Sequence, residues 1–450
     1  MDTELLTRVL AQRARLRRHD TWSTERLAGF QAASLVRLRR HASRAPYYAH
    51  SLAGLERAPL SELPPLTKSD VMASFDRLLT RQDIDLATVE AHLADLTQAD
   101  GDPGVPLNRR WWVAATGGTT GQRGVFVWDR REWATVLASY ARATTWAGIR
   151  VGPRHPVRTA VVSSVVPTHQ SAVVGASLRS RLVPTLRLDA RSPLAETVEA
   201  LNTFGPRVLV GYPSVLRPLA HEQLAGRLHL APQAVMSASE VLSGRAAAEM
   251  QAAWVAPPFD VYAATETAGI ASTCSAGRRH LYEDLVIVEV VDEAGSPVPD
   301  GTIGSGLLAT VLFSRTLPLI RYRLSDQISV RRVPCPCGMP YRVLDTIEGR
   351  EEETLVLRAG SGTVRIHPNV FHAALDDVEV DGWQVVQHTL GLRLLVVTGP
   401  RSPSPSELQA RLRRALADAG ATAVAIEVEV VREIPRTALG KTPLMRRADN

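Results

Sequence analysis

Lysine is nearly missing from this chain. Of its 450 residues 52 are basic, yet only Lys68 and Lys441 are lysines. Where arginine is used almost everywhere, a lysine points to a place suited to a compact ammonium on a flexible stem rather than a planar fork. Lys68, in Leu66-Thr67-Lys68-Ser69-Asp70, reads as a solvated residue at a helix start. Lys441 keeps different company, at the end of the glycine-flexed tail Ile434-Pro435-Arg436-Thr437-Ala438-Leu439-Gly440-Lys441. Long apolar runs are missing too: no stretch of about 18 apolar residues exists, so no membrane-spanning helix is predicted, and no membrane partner is expected. The first twenty positions carry charge throughout and no apolar run of signal-peptide length, so a cytoplasmic protein is expected. Aromatics are sparse at 5%, and the basic residues behind the net charge of +6 are scattered rather than gathered with them. That pattern argues against a nucleic-acid partner. It suits an anionic small-molecule substrate, ATP among them. Cysteine occurs three times, at 274, 335 and 337.

At this length the chain can bury a large core and should form more than one domain. Residues 1–50 read as helix, with Leu27, Phe30, Leu35 and Leu38 near helical spacing. Strand-like runs at Thr159–Val166, Val208–Gly211, Ala234–Ser237 and Phe259–Ala263 alternate with helices such as Ser192–Phe204 and Pro213–His221. Such alternation predicts a layered α/β domain. Strand then follows strand, from Leu285 to Asp292 and Ser305 to Phe313, as a β-rich subdomain. The expected fold class is therefore α/β: a large layered N-terminal domain over 1–348, and a small α+β C-terminal domain over 349–450.

The stretch Ala115-Thr116-Gly117-Gly118-Thr119-Thr120-Gly121-Gln122-Arg123-Gly124 holds four glycines and three threonines. Glycines let successive N–H groups converge on an anion, and hydroxyls add donors, so it reads as a phosphate cradle or as a plain turn. The Gly-x4-Gly-Lys-[Ser/Thr] spacing of the P-loop NTPases is absent. At Tyr262-Ala263-Ala264-Thr265-Glu266-Thr267 a strand ends in a hydroxyl and a carboxylate. The pair fits a helix N-cap or, through the hard oxygens of Glu266, a Mg2+ site. Arg321-Tyr322-Arg323-Leu324-Ser325-Asp326 and Gly349-Arg350-Glu351-Glu352-Glu353 are polar knots that read either as surface charge clusters or as nucleotide contacts. Asp326 is suited to two ribose hydroxyls because an ionised carboxylate only accepts.

In this order the segments resemble the adenylate-forming superfamily of acyl-CoA synthetases, adenylation domains and luciferases. Within it the chain looks most like the phenylacetate-CoA ligase and coenzyme F390 synthetase branch. Leu63-Pro64-Pro65-Leu66-Thr67-Lys68, Val210-Gly211-Tyr212-Pro213-Ser214, His280-Leu281-Tyr282-Glu283-Asp284 and the Cys-x-Cys-Gly at 335–338 carry that likeness. The resemblance implies an ATP-dependent ligase that turns a small, aryl-type carboxylate into acyl-AMP and passes it to coenzyme A or another nucleophile. Thr116 to Gly121 would hold the β- and γ-phosphates, and Thr265 and Glu266 would meet the α-phosphate and Mg2+. Asp326 would bind ribose, Arg350 the nucleotide, and Ser239 and Glu240 would border the adenine with Tyr262 nearby. Glu352 falls at the hinge of a mobile lid domain that carries Lys441 to the carboxylate and α-phosphate, where charge builds. Ser163, Ser164, His169 and Tyr212 would flank the organic substrate.

Cys274, His280, Cys335 and Cys337 add up to four soft ligands, the number a closed structural zinc site takes, and they look like the metal-binding set of phenylacetate-CoA ligase relatives. Buried thiols in a reducing cytosol are the other reading. Two departures from the family pattern bear on chemistry. Gln122-Arg123 stands where many relatives carry a lysine, and Arg358 to Pro368 differs from the usual stretch after the hinge, which puts coenzyme A as acceptor in question. Some enzymes similar to this branch adenylate nitrite and diazotise an aryl amine, and that is the alternative activity. A zinc-containing scaffold or a nucleic-acid-binding protein is the alternative outside enzymology. A homodimer is one option for assembly.

Overall fold

The computed structural model describes residues 3–447 except 56, 99–103, 117–122, 153–154, 178–179, 351–354, 360–361, 367, 376–377, 390, 400, 423 and 438–439. A nine-stranded sheet forms the centre. Its spatial order is Asp326–Arg331, Val343–Arg350, Arg279–Leu281, Ala268–Thr273, Phe259–Ala264, Ala234–Ala238, Val208–Gly211, Thr159–Ser163, Thr185–Asp189. The last five run parallel, and the first five are joined by antiparallel pairings. This division follows from the chain: helices Leu194–Phe204, Pro213–Leu224 and Gly244–Trp254 separate the parallel strands, while short connections join antiparallel ones.

Alternation along each strand sends side chains to two faces. Ala160, Val162, Leu209 and Val235 pack on the three crossover helices in one core. Val208, Met236 and Val261 turn the other way and cluster with Ala143 of the helix Arg130–Trp146. Asp129 and Glu132 start that helix with a capping box. The same Glu132 carboxylate accepts from the Arg315 and Thr316 N–H groups, so one residue both caps the helix and holds a remote loop.

The hairpin Trp112–Ala115/Val125–Trp128 and a three-stranded sheet, Val286–Val291, Gly306–Val311 and Tyr322–Leu324, complete the large body. Trp128 and Trp112 lie 5.4 and 6.1 Å from the ring of Trp133 and fix the hairpin on the helix below. The first fifty residues are three helices, Thr3–His19, Thr24–Ala42 and Pro46–Ser51, rather than one continuous run. No helix among the described residues is long and apolar enough to cross a membrane.

The C-terminal part is smaller and has its own core. A four-stranded sheet, ordered Ala425–Val430, Gly391–Thr398, Val380–His388, Met445–Arg447, carries helices Pro368–Leu375 and Pro405–Asp418. Phe371, Val385, Leu394, Leu408 and Leu412 fill the space between them. Gly349 and Arg350 still belong to the large sheet, paired with Gln327 and Asp326, and the next strand starts at Leu355.

Candidate active site

The connection of the hairpin Trp112–Ala115/Val125–Trp128 starts at Thr116, which lines a cavity together with Ser163, Gly211 and Ala238 at the ends of parallel strands. At the base of that connection Thr116 N–H donates to the Gly124 carbonyl (2.8 Å) and Gly124 N–H donates to Thr116 Oγ1 (2.8 Å). Gly117, Gly118, Thr119, Thr120 and Gly121 lie outside the described residues. A Cβ at Gly124 would stand 3.5 Å from Lys68 Cδ, so the Lys68 stem lies against the loop base. Lys68 is thus not the solvated residue its local context predicts. Thr67 does cap its helix, but the side chain lines the same cavity as Thr116.

Thr265 and Glu266 sit in the tight turn between Phe259–Ala264 and Ala268–Thr273, an antiparallel hairpin, so the helix N-cap reading fails. Gln170 Nε2 donates to the Thr265 carbonyl (2.8 Å), and Tyr140 holds Gln170 from behind (2.6 Å). Glu266 is 7% exposed, and its Oε1 accepts from the Tyr322 hydroxyl at 3.2 Å. Asp326 opens the strand beyond Tyr322–Leu324. Arg321 fits neither reading of its polar knot, a surface charge cluster or a nucleotide contact, because it is buried: its guanidinium reaches Glu289 and the Ser61 and Leu63 carbonyls. Ser239, Ala268 and Arg321 have φ of 70°, 61° and 52°, a conformation that costs a non-glycine residue about 1–3 kcal/mol. All three flank the site residues, where strain of this kind collects.

Lys441 arrives from the C-terminal part. Thr437 N–H donates to its carbonyl (2.8 Å), closing a short loop in which Gly440 has φ 73° and passes where a Cβ would be 3.0 Å from Ala190. The ammonium stands 5.9 Å from the Tyr212 ring centre, and the Tyr212 hydroxyl accepts from Ser164 N–H (2.9 Å). Glu240 Oε1 accepts from Thr442 N–H (3.0 Å) and Ser214 Oγ (3.1 Å), and Oε2 from Ser214 N–H (3.1 Å). Its carboxylate is therefore engaged with the lysine loop. Burial, with Lys441 and Arg123 nearby, lowers the His169 imidazole to about 4, so it is neutral at pH 7.

Thr116, His169, Tyr212, Glu266, Asp326 and Lys441 line one cavity of about 1160 Å3, and Ser163, Ser239, Tyr262 and Thr265 also face it. Ser164 is buried beneath. The Arg350 backbone lies in its strand, and Glu352 lies outside the described residues. Sequence reasoning missed Lys68, Gln170 and Tyr140. The scarcity of lysine was the one available signal for the first, and the other two carry none.

Beside Trp146, at the end of the helix Arg130–Trp146, Cys274, His280, Cys335 and Cys337 converge, with their ligand atoms all within 4.8 Å of one another. Cys274 Sγ is 3.8 Å from Cys335 Sγ, and Cys337 Sγ is 3.3 Å from His280 Nε2. The Tyr341 carbonyl lies 2.9 Å from His280 Nδ1, which places the proton there and leaves Nε2 to face the thiols.

No protein-family model matches the chain. Over 283 residues it is 25% identical to the phenylacetate-coenzyme A ligase of Thermus thermophilus, a match covering 60% of each protein. It is 26% identical over 268 residues to the Aromatoleum evansii protein of that name, covering 56% of this chain and 58% of the relative. The chain thus spans about three fifths of the length of the curated relatives it matches. Among solved structures, 2-hydroxyisobutyryl-CoA ligase in its postadenylation state aligns with a TM-score of 0.71 at 20% identity, over 96% of this chain and 92% of that one. The same ligase in its thioesterification state aligns at 0.59. The fold is that of the adenylate-forming ligases, and the sequence likeness falls on their phenylacetate-CoA ligase branch, in agreement with the motifs.

Proposed function

We propose that this chain is an ATP-dependent, AMP-forming acid ligase. The observation that carries the reading is the meeting, in one cavity, of Lys441 from the C-terminal part with Thr265, Glu266 and Asp326 from the large sheet. A substrate carboxylate oxygen attacks the α-phosphorus of ATP, the bond to pyrophosphate breaks, and acyl-AMP forms. Lys441 neutralises charge on the carboxylate and α-phosphate oxygens, and a point charge held ready there lowers the barrier without reorganisation. Asp326 accepts from the ribose hydroxyls, while Thr116 and Lys68 face the outer phosphates. Glu266 would hold Mg2+, which neutralises the phosphates. Tyr322 fixes the rotamer of that carboxylate, and the Gln170–Tyr140 pair fixes its turn.

Residues 1–348 and 349–450 act in this reading as a body and a lid, with Glu352 at the hinge. Coenzyme A is the acceptor favoured by the names of the relatives, its thiol displacing AMP in the second step. Cys274, His280, Cys335 and Cys337 fit a zinc ion: three thiols and one imidazole, aimed inward, leave no open position, so the metal would brace the fold. The reactants are small molecules, handled in the cytoplasm.

Acid-dependent ATP–pyrophosphate exchange tests the proposal. Exchange with carboxylates is expected, and Lys441→Ala should lower it about 100- to 1000-fold in a folded protein. Full exchange in that variant would refute the role of Lys441. Exchange driven by nitrite alone would move the chemistry to diazotisation.

A further inference from the structure

We infer that the acid activated here carries a long, unbranched apolar tail laid along the face of the large sheet; this rests on the ligase reading above and names its substrate class. The cavity does not end at Lys441 and Tyr212. From the strand ends at Ser163, Gly211 and Ala238 it continues to Thr159, Val208 and Met236, and on to Val157, Ile149 and Val151 beyond the strand starts.

The sheet explains why room exists there. Ala160, Val162 and Leu209 are completely buried against the crossover helices. Their neighbours Thr159, Val161 and Val210, which alternation turns to the other face, are only half-buried although they sit on strands inside or near the middle of the sheet. Ala143 of the helix Arg130–Trp146 packs on Val208 and Met236 at the inner end, while Thr144 and Val151 stay half-buried along the same cavity. From Thr159 to Ser163 the strand rises roughly 13 Å, room for an extended chain of about ten carbons. Along this part, Ile149, Val151, Val157, Leu182, Val208 and Met236 supply no charge and favour burial of methylenes. The cavity of about 1160 Å3 is shared between the nucleotide site and this apolar extension. A single aryl ring would occupy only its first part.

Exchange is to be measured with straight-chain acids from butyrate to myristate, with phenylacetate alongside. The catalytic efficiency should climb about threefold per methylene up to about ten carbons, and the best acid should exceed phenylacetate at least tenfold. Val210→Phe and Val161→Phe, two independent obstructions, should each move the optimum to shorter acids. A flat length series with phenylacetate preferred overturns the inference and leaves the ligase reading intact. Should no acid support exchange, displacement of the fluorescent polyene cis-parinaric acid by laurate decides the matter. Displacement without exchange supports the channel and strikes the ligase reading; absence of binding overturns the channel.

Discussion

The Asp284 carboxylate lies inside the protein between Arg142, bidentate at 2.7 and 2.8 Å, and His19 Nδ1 at 2.7 Å. Burial alone would raise its pKa, but the Arg142 guanidinium and the His19 hydrogen bond bring it down to about 2. A carboxyl depressed below its unfolded value of about 4 stabilises the fold above that pH. The contribution is lost as pH falls from about 4 towards 2. Asp284→Asn should therefore cost about 3 kcal/mol at pH 7, read by denaturant unfolding, because it leaves the buried Arg142 with Asp20 alone, at 2.9 Å, as its counter-charge. The difference from the parent protein should shrink in acid; a constant difference would contradict the assignment. Gly440→Ala makes a second case. A Cβ there meets Ala190 at 3.0 Å in a backbone of positive φ, so exchange should fall about tenfold or more with the melting temperature little changed. Legibility differs sharply among these residues. Lys441, Glu266 and Asp326 stand in short motifs whose order along the chain was readable. Arg142 and His19 have no local pattern, since their partner lies 142 and 265 positions away. Lys68 was misread because Thr67–Asp70 is a complete capping box by itself, and nothing nearby announces the loop some fifty residues on.

Elements show where local rules held and where tertiary context overrode them. The parallel strands and their crossover helices announced themselves by period, and Thr159–Ser163, Val208–Gly211 and Ala234–Ala238 lie within a residue or a few of their expected bounds. Thr265-Glu266-Thr267 did not become a helix start, because Ala268–Thr273, small and wholly buried, pairs back on Phe259–Ala264. That strand, Ala-Gly-Ile-Ala-Ser-Thr, has no alternation to read. The segment carrying Cys335 and Cys337 has little regular structure, and its thiols approach Cys274 and His280 across about sixty residues of chain. Metal analysis should find about one zinc per chain. Cys335→Ser or exhaustive chelation should lower the melting temperature by about 5 °C or more. A metal-free wild type of full stability would discard the site.

At the scale of the whole molecule, Arg217 joins the large body to the C-terminal part. Glu249 holds its guanidinium, which donates to the Val380 carbonyl at 2.7 Å and to the Asp381 carbonyl at 3.1 Å. Together with Thr442 on Glu240, this contact fixes the arrangement in which Lys441 faces the cavity. Arg217→Ala should lower exchange about tenfold while the transfer of preformed acyl-adenylate is unaffected or faster; an equal loss in both steps would argue for simple destabilisation. None of this was legible beforehand, because contacts between separately cored parts leave no periodicity in either. The Glu240–Thr442 bond has a kinetic consequence under the proposed cycle. It supports one step of two and must break before the other, so its strength sets a compromise. A tighter bond would hasten adenylate formation and delay departure from it, a looser one the reverse, and throughput would peak between the extremes.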